Sequence, residues 1–411
     1  MKRRKKSRSA RAKWIFGISC MAISAAVMGG IIFFSKAGRD EMVPGNRQEE
    51  ESQISEKQGE DESNNKIQEK LEDMTLEEKV AQMFMVAPDA LTGVTGTIQV
   101  GDITKEAYED RPVGGLIMMG NNLETPEQTK EWNASMMELS QEKTGLPLFL
   151  SVDEEGGTVS RISGNDAFGV EDVGDMSEIG RKEDKQKAYD AGKTIGSYLK
   201  ELGFNMDFAP LADVWTNPEN TIVRERSFGS DPELVAKMAA EEIKGLHSQD
   251  IYTVTKHFPG HGGTSEDSHE GAAYSESTEE ELEKCEFLPF KAAIEEGTEF
   301  IMAGHISLPN VLDDDTPASL SKEIITEMLR EKLGYDGIVI TDAMDMGAIT
   351  RSYTSAEAAV KAVQAGADVI LMPEDFEEAY QGILSAVSNG TLPEDRIDES
   401  VERILEVKMA K

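Results

Sequence analysis

The chain has 411 residues, which is enough for one large domain or two average ones. A formal net charge of −36 argues against a nucleic-acid-binding protein, because contact with phosphates requires a basic surface. The only cysteines are Cys20 and Cys285, which excludes a scaffold held by several disulfides. With 39% hydrophobic and 29% charged residues, the composition is typical of a globular enzyme.

The N-terminus has the features of a membrane anchor. Residues 14–34 form an uncharged, mostly apolar run of 21 residues, long enough to cross a hydrocarbon core of about 30 Å as a helix. Eight basic residues precede it, so we expect residues 1–13 to be a cytoplasmic tail and residues 14–35 a single-pass signal-anchor, with the rest extracellular. Secretion after signal cleavage is the alternative, although the apolar core of a signal peptide usually has only about 7–15 residues.

Residues 36–65 are rich in Glu, Gln, Ser, Asn and Lys and contain almost no large apolar residues. Such a segment cannot bury a core, which predicts a disordered polar linker. The remaining chain, 66–411, is expected to form one domain.

Short apolar segments alternate with long amphipathic ones along this domain. A helix signal lies within 75–86, and further helical periodicity covers 177–202, 232–249, 277–296 and 354–366. Eight strands are predicted at 83–87, 113–119, 147–153, 204–214, 251–257, 299–307, 337–344 and 367–373. Alternation of strands and helices predicts a parallel sheet, and eight units suggest a single (β/α)8 barrel of the TIM type.

An open, doubly wound α/β sheet is the alternative fold. No GxGxxG or GKS/T phosphate-binding loop follows any of the predicted strands, which removes the commonest reason for that fold. We therefore expect no nucleotide cofactor.

Polar residues cluster at the ends of the predicted strands, where barrel enzymes place their catalytic groups. These residues are Asp153, Glu154, Glu155, Asp213, Arg224, Arg226, Lys256, His257, His261, His305 and Asp342. Together with His269, in the loop after the fifth strand, this set contains four of the five histidines of the chain. Taken alone, His305 reads as a hydrogen-bonded core histidine, and Lys256 or Arg226 as surface charges.

A metal site built on His257 and His261 is a weaker interpretation. Pro259 and Gly260 exclude the helix that usually presents paired histidine ligands, and no HExxH motif occurs. We therefore expect no metal.

The loop at 260–271 contains four glycines, which favour unusual backbone angles and movement. Asp267 and His269 are two residues apart and point the same way in an extended segment. An acid beside an imidazole fixes its tautomer and raises its pKa, which suits a proton donor that later acts as a base. With a carboxylate across the barrel as nucleophile, this is the logic of retaining glycoside hydrolysis.

At these residues the chain resembles family 3 glycoside hydrolases, in their bacterial β-N-acetylglucosaminidase branch. KHFPGHGGTSEDSH at 256–269 resembles the branch's KHFPGHG motif and the DSH loop that follows it. Supporting segments are VDEEGGTVSRI at 152–162, NMDFAPLADV at 205–214, RSFGSDP at 226–232, ITDAMDM at 340–346 and, more weakly, PASLS at 317–321. The resemblance covers about 75–411 and implies a (β/α)8 barrel with a covalent glycosyl-enzyme.

The resemblance also implies roles for individual residues. Asp342 matches the nucleophile, His269 the general acid/base and Asp267 its orienting partner. The residues that match those holding the sugar hydroxyls and N-acetyl group, or the family's second arginine of GGRVxR, are Asp153, Arg226, Lys256, His257 and Arg161.

The sequence departs from the family pattern at several positions. Glu154 stands in place of Gln, Thr158 replaces the first arginine of GGRVxR, Gly263 replaces an Asp, and residues 271–273 replace a Leu-Pro segment. Because the chain ends soon after its last predicted helix, we also expect it to lack the second domain of many relatives that act on glucosides.

Activity as a β-N-acetylhexosaminidase on peptidoglycan-derived or other amino-sugar glycans is the leading hypothesis, with a monomeric protein expected. A β-glucosidase or β-xylosidase of the same fold is the second, disfavoured by the histidine loop. A catalytically silent wall-binding module is the third, disfavoured because both proposed catalytic groups are present.

Overall fold

Eight short parallel strands form the centre of the fold. The computed structural model describes residues 64–264, 268 and 271–410. The strands are β1 (Phe84–Val86), β2 (Gly115–Ile117), β3 (Phe149–Val152), β4 (Met206–Asp207), β5 (Tyr252–Phe258), β6 (Phe300–Ala303), β7 (Ile338–Thr341) and β8 (Ile370–Leu371). Each lies within one of the eight predicted segments, except that β5 extends one residue beyond 251–257, and every residue in the strands is buried. Continuous apolar runs are typical of parallel strands that are covered on both faces.

The sheet is nearly closed into a barrel. Its strand order is β7-β6-β5-β4-β3-β2-β1-β8, and every pairing is parallel. The two end strands approach each other, because a parallel bridge joins Ile340 of β7 to Val369 next to β8. This confirms an α/β fold with a parallel, barrel-like sheet.

Helices cover the outside of the barrel between successive strands. They span 64–73, Leu76–Gln82, Pro88–Thr92, Asp102–Asp110, Pro126–Thr144, Met176–Gly180, Lys185–Glu201, Pro232–His247, Glu279–Lys284, Phe287–Glu295, Gly347–Thr350, Ser355–Ala365, Phe376–Ser388 and Glu394–Met409. A π-helix covers Glu323–Lys332, and short 3₁₀ turns cover Gly120–Asn122 and Ala318–Leu320. Two small strand pairs lie outside the barrel, Glu154–Gly156 with Val159–Ser160 and Ala273–Tyr274 with Ile306–Ser307.

Local sequence explains where many helices begin. At the start of the helix Leu76–Gln82, the hydroxyl of Thr75 accepts a hydrogen bond from the backbone N–H of Glu78. The carboxylate of Glu78 in turn accepts one from the N–H of Thr75. Such a reciprocal capping box satisfies donors that a helix start leaves unpaired. The same device begins Glu279–Lys284 and Ser355–Ala365.

The predicted helix at 277–296 is two helices, with a break at Cys285. Pro289 lies in the first turn of the second helix and lacks a backbone N–H, so it cannot continue the hydrogen bonds of the first. The predicted helix at 177–202 is likewise interrupted before Asp184, whose side chain caps the helix Lys185–Glu201.

The opposite end of the barrel from the polar strand ends is closed by aromatic rings. Phe149 contacts Phe300 and Tyr252 edge to face, with ring centroids 5.2 Å and 5.7 Å apart. All three residues begin their strands, so aromatic packing fills this part of the N-terminal end of the barrel.

Helix 64–73 packs at this N-terminal end. Lys70 Nζ donates to the carbonyl of Thr144, which lies just before β3, at a distance of 2.6 Å. Among the described residues, none of the helices combines the length and apolar character that a bilayer crossing requires. The predicted tail 1–13, anchor 14–35 and all but the last two residues of the linker 36–65 lie outside the described part of the chain.

Candidate active site

An ion cluster joins three loops at the C-terminal ends of the strands. Lys256 of β5 places its Nζ 2.7 Å from Asp153 Oδ1 and 2.6 Å from Glu155 Oε1, both of which follow β3. The guanidinium of Arg226 binds both oxygens of Glu155, each at 2.7 Å. The structure therefore brings together three predicted substrate-binding residues, Asp153, Arg226 and Lys256.

Glu155 is the centre of this cluster, and sequence reasoning assigned it no role. Its carboxylate is only 2% exposed. Burial would raise the pKa of Glu155, but the charges of Arg226 and Lys256 outweigh burial and hold the pKa well below its ordinary value. The available signal was its place in the polar strand end DEEGG, next to Asp153.

Glu154 faces the other way and supports the loop that follows. Its carboxylate accepts hydrogen bonds from the backbone N–H groups of 161–163, at 2.7 to 2.9 Å, and from the hydroxyl of Tyr198 at 2.8 Å. Burial, followed by the charge of Glu154, raises the pKa of Tyr198. Glu154, which stands where the family usually has Gln, is thus a structural acceptor.

A second network orients the histidines of the HFPGH segment. Asp213, fully buried, accepts hydrogen bonds from the backbone N–H of His261 at 2.6 Å and from His257 Nδ1 at 2.7 Å. Burial would raise the pKa of Asp213, but the electrostatic interaction and the hydrogen bond with His257 lower it. Because Nδ1 is held by Asp213, the other ring nitrogen of His257 is directed away from this carboxylate.

His261 links the network to the predicted catalytic loop. Its Nδ1 is 2.8 Å from Thr264 Oγ1 and its Nε2 is 3.1 Å from Ser268 Oγ. The carbonyl of Ser268 accepts a hydrogen bond from the N–H of Ala348, which follows β7. Asp267 and His269, on either side of Ser268, lie outside the described residues, so their predicted positions stay predictions.

Asp342 immediately follows the last residue of β7, at the strand end where it was predicted. Its backbone N–H donates to the carbonyl of Ala303 in β6, and its Oδ1 accepts from the N–H of Ala343 at 2.8 Å. The residue is 9% exposed, whereas Asp345 is exposed to solvent. A carboxylate held by a strand end and a backbone N–H is suited to reaction at a fixed position.

The remaining predicted residues differ in their surroundings. Arg161 is half-buried, and its guanidinium makes no ion pair or hydrogen bond with the part of the chain that the structure describes. His305 is fully buried, with Nε2 2.9 Å from the carbonyl of Ala343 and Nδ1 2.7 Å from Ser319 Oγ. Because a carbonyl only accepts, Nε2 carries the proton. His305 therefore donates to the residue that follows Asp342 and helps to fix the loop that carries this carboxylate.

Three further carboxyls are buried beneath the site. The pKa of Glu286 is raised to about 8 by burial and the charge of Asp213, and that of Glu242 to about 8 by burial and Glu155. Burial and Glu154 also raise the pKa of Asp207 well above its ordinary value. Within the described residues, no group of three His, Cys, Asp or Glu side chains is placed to hold a metal.

Comparison with known proteins places this geometry in a family. Residues 75–407 match the family model described as the N-terminal domain of glycosyl hydrolase family 3. The chain is 33% identical over 321 residues to the beta-hexosaminidase A of Pseudoalteromonas piscicida, covering 72% of this chain and 53% of that protein. It is also 27% identical over 347 residues to a beta-N-acetylglucosaminidase/beta-glucosidase of Cellulomonas fimi, covering 82% of this chain and 58% of that protein.

A solved family 3 beta-N-acetylglucosaminidase from Paenibacillus sp. has the same fold, with a TM-score of 0.76 and 38% identity. The match covers 82% of this chain and 63% of that one. The chain thus spans about half to two thirds of the length of these relatives. By the family model, which matches most of its length, the chain belongs to glycosyl hydrolase family 3.

Proposed function

We propose that the protein is a retaining β-N-acetylhexosaminidase that removes terminal β-linked N-acetylglucosamine from peptidoglycan-derived or other amino-sugar glycans. The observation that carries the proposal is the convergence of two features at the mouth of the barrel. One is the buried Asp342 at the end of β7, and the other is the ion cluster of Asp153, Glu155, Arg226 and Lys256. The names of the hexosaminidase relatives support the choice of sugar.

In this mechanism Asp342 attacks the anomeric carbon and forms the covalent glycosyl-enzyme. The N–H of Ala343 holds one carboxylate oxygen at 2.8 Å, which limits rotation of the side chain. A fixed nucleophile lowers the entropic cost of reaching the attacking geometry.

In the same step the glycosidic bond breaks and His269, as general acid, protonates the leaving oxygen. In the second step His269, as general base, activates the water that releases the sugar from Asp342, with Asp267 as the partner of His269 in both steps. The contacts of the intervening residue support this assignment. Ser268 is held on one side by His261 and on the other by Ala348, six residues beyond Asp342. A loop tied between β5 and β7 is well placed to serve the same bond as Asp342.

The ion cluster, together with Arg161 and His257, supplies the hydrogen-bond groups for the sugar. Lys256, Arg226 and Arg161 donate to hydroxyl or carbonyl oxygens, and Asp153, which is 25% exposed, accepts from hydroxyls. His257 is oriented by Asp213 and contributes its second ring nitrogen. Because Glu155 fixes Arg226 and Lys256 before substrate arrives, little reorganisation is required on binding.

The experiment that tests the proposal compares turnover of chromogenic aryl N-acetylglucosaminide, glucoside and xyloside. We expect kcat/KM to favour the N-acetylglucosaminide by at least about a hundredfold, roughly 2.7 kcal/mol of transition-state binding. A preference for the glucoside or xyloside would support the alternative enzyme. Binding of all three without turnover would support a silent wall-binding module.

We also propose that residues 14–35 anchor the protein with its enzyme domain outside the cell. Helix 64–73, through which any tether would enter, packs at the N-terminal end of the barrel, opposite the proposed active site. Protease added to intact cells should cut within 36–65 and release an active fragment of about 345 residues. Release only after lysis would contradict the orientation.

A further inference from the structure

Glu286 is a buried carboxyl that has no part in the proposed chemistry. It is 4% exposed and immediately precedes the helix Phe287–Glu295, but its side chain does not cap that helix. It turns instead toward the segment that follows β4, where Oε2 is 3.4 Å from the backbone nitrogen of Val214. A carboxyl in this position contacts the elements that carry the site.

The glycine turn Gly260–Gly263 rests directly on this carboxyl. A Cβ at Gly260, whose φ is +133°, would lie 2.5 Å from Glu286 Oε2 and 2.6 Å from its carboxyl carbon. A Cβ at Gly262 would lie 1.8 Å from the carbonyl oxygen of Val214. Since neither position has room for a side chain, the two glycines allow the turn to pack onto Glu286 and the backbone of Val214.

This turn also holds the histidines of the site. The N–H of His261 donates to Asp213 at 2.6 Å, and the N–H of Gly260 donates to the carbonyl of His257 at 2.8 Å. The carbonyl of Gly262 accepts from the N–H of Asn217 at 3.2 Å. A displacement of the turn would therefore disturb the Asp213–His257 pair and the start of the predicted catalytic loop.

We propose that Glu286 is a positioning residue whose uncharged carboxyl supports the turn Gly260–Gly263 by packing against it. Ionisation of Glu286 then displaces this turn and lowers activity. The inference rests on the proposed function because activity is one of its two readouts. Glu286 would act through His257 and the loop after Thr264, without contact with the substrate.

The charges around Glu286 explain the direction of the effect. Asp213, in the segment that follows β4, faces Glu286, and His257 of β5 and His261 of the turn interact with the Asp213 carboxylate. Cys285 precedes Glu286 in the chain. Burial and Asp213 raise the pKa of Glu286 to about 8, so the group is neutral at pH 7. An ionised Glu286 would add a second negative charge beside Asp213, and among the described residues the long contact to the N–H of Val214 is the only hydrogen bond that would stabilise it. A buried charge without a partner is costly, and movement of the turn to admit water relieves that cost.

The test compares the full-length protein with its E286Q variant, which stays uncharged at every pH. The ratio of their kcat/KM values cancels titrations common to both. We expect a ratio near one at pH 6.5 that rises to about tenfold in favour of E286Q at pH 9, because about nine tenths of Glu286 is then ionised in the parent protein. C285S is the matched control and should match the parent protein, since burial raises the pKa of Cys285 to about 11.

A ratio that stays flat between pH 6.5 and 9, or that falls, would overturn the proposal. Thermal unfolding gives a second readout that does not depend on activity. A folded pKa of about 8 lies above the unfolded value of about 4.3, so the parent protein should lose stability as pH rises between these values. E286Q should not, so the difference in unfolding midpoint should grow up to pH 8 and then level off.

The two readouts separate the inference from the proposed function. The expected change in unfolding midpoint without any glycosidase activity would overturn the function and support the ionisation of Glu286. A difference in midpoint that is independent of pH would overturn the inference, whatever the activity. If E286Q does not fold, E286L, which is also uncharged, serves for both measurements.

Discussion

Substitution of Glu155 by Gln tests whether the ion cluster organises the site. In the parent protein the Glu155 carboxylate binds Arg226 through two hydrogen bonds of 2.7 Å and Lys256 at 2.6 Å, with 2% exposure. Removal of one partner of a buried ion pair typically costs about 3–5 kcal/mol, because the other charges stay buried without compensation. Gln keeps the shape and one acceptor, so we expect a loss of about 3 kcal/mol at pH 7.

The pH dependence of this loss has a defined sign. The folded pKa of Glu155 lies below the unfolded value, so its stabilisation is fully present above about pH 4.3 and is lost as pH falls through the folded pKa. The difference between the parent protein and E155Q should therefore be constant from pH 5 to 8 and shrink only below about pH 4.3. Urea denaturation at pH 7, 5 and 3.5 measures it. Because Arg226 and Lys256 lose their shared partner, KM should also rise.

Glu377 provides the control. It forms a bidentate pair with Arg111 of the same chemistry, at 2.9 and 3.2 Å, but is 55% exposed. Solvent screens such pairs, so E377Q should cost no more than about 1 kcal/mol. Equal losses for E155Q and E377Q would refute the argument that burial gives the cluster its strength.

Four further outcomes are expected. D342A should lose several kcal/mol of transition-state stabilisation and keep the parent unfolding midpoint, whereas D345A should retain activity; a near-normal rate for D342A would contradict the nucleophile assignment. H269A should lose far more rate on a natural disaccharide than on a dinitrophenyl glycoside, which needs little protonation, with D267N as a milder version; equal losses on both substrates would exclude a general acid. EDTA should leave activity unchanged, and loss restored by zinc would reverse that expectation. Lys408, in the last helix, is buried over the ring of Phe149 and donates to Gln82 Oε1 and to the carbonyl of Gly114. Burial lowers the pKa of Lys408 to about 7, so the cost of its charge is fully present below pH 7 and disappears towards the unfolded value near 10.4; the stability of K408M relative to the parent protein should therefore be higher at pH 6 than at pH 10, and a pH-independent difference would contradict this.

Sequence alone determined the order and number of the barrel strands and most polar residues at their ends. Apolar runs bounded by polar residues are local features, and parallel strands bring their C-terminal ends to one rim whatever the details of packing. For that reason Asp153, Lys256, His257 and Asp342 could be predicted to share a face.

Only the tertiary structure decided which neighbouring carboxylate belongs to the site. Glu154 and Glu155 are adjacent and alike in sequence, but a register irregularity in the small hairpin after β3 accompanies their opposite directions. Glu155 meets Arg226, 71 positions away, whereas Glu154 meets Tyr198, 44 positions away. Contacts over such separations depend on how the loops pack, which no local pattern records. The same holds for Glu286, because its ionisation is set by burial against Asp213 and the glycine turn, and burial is a property of the assembled fold.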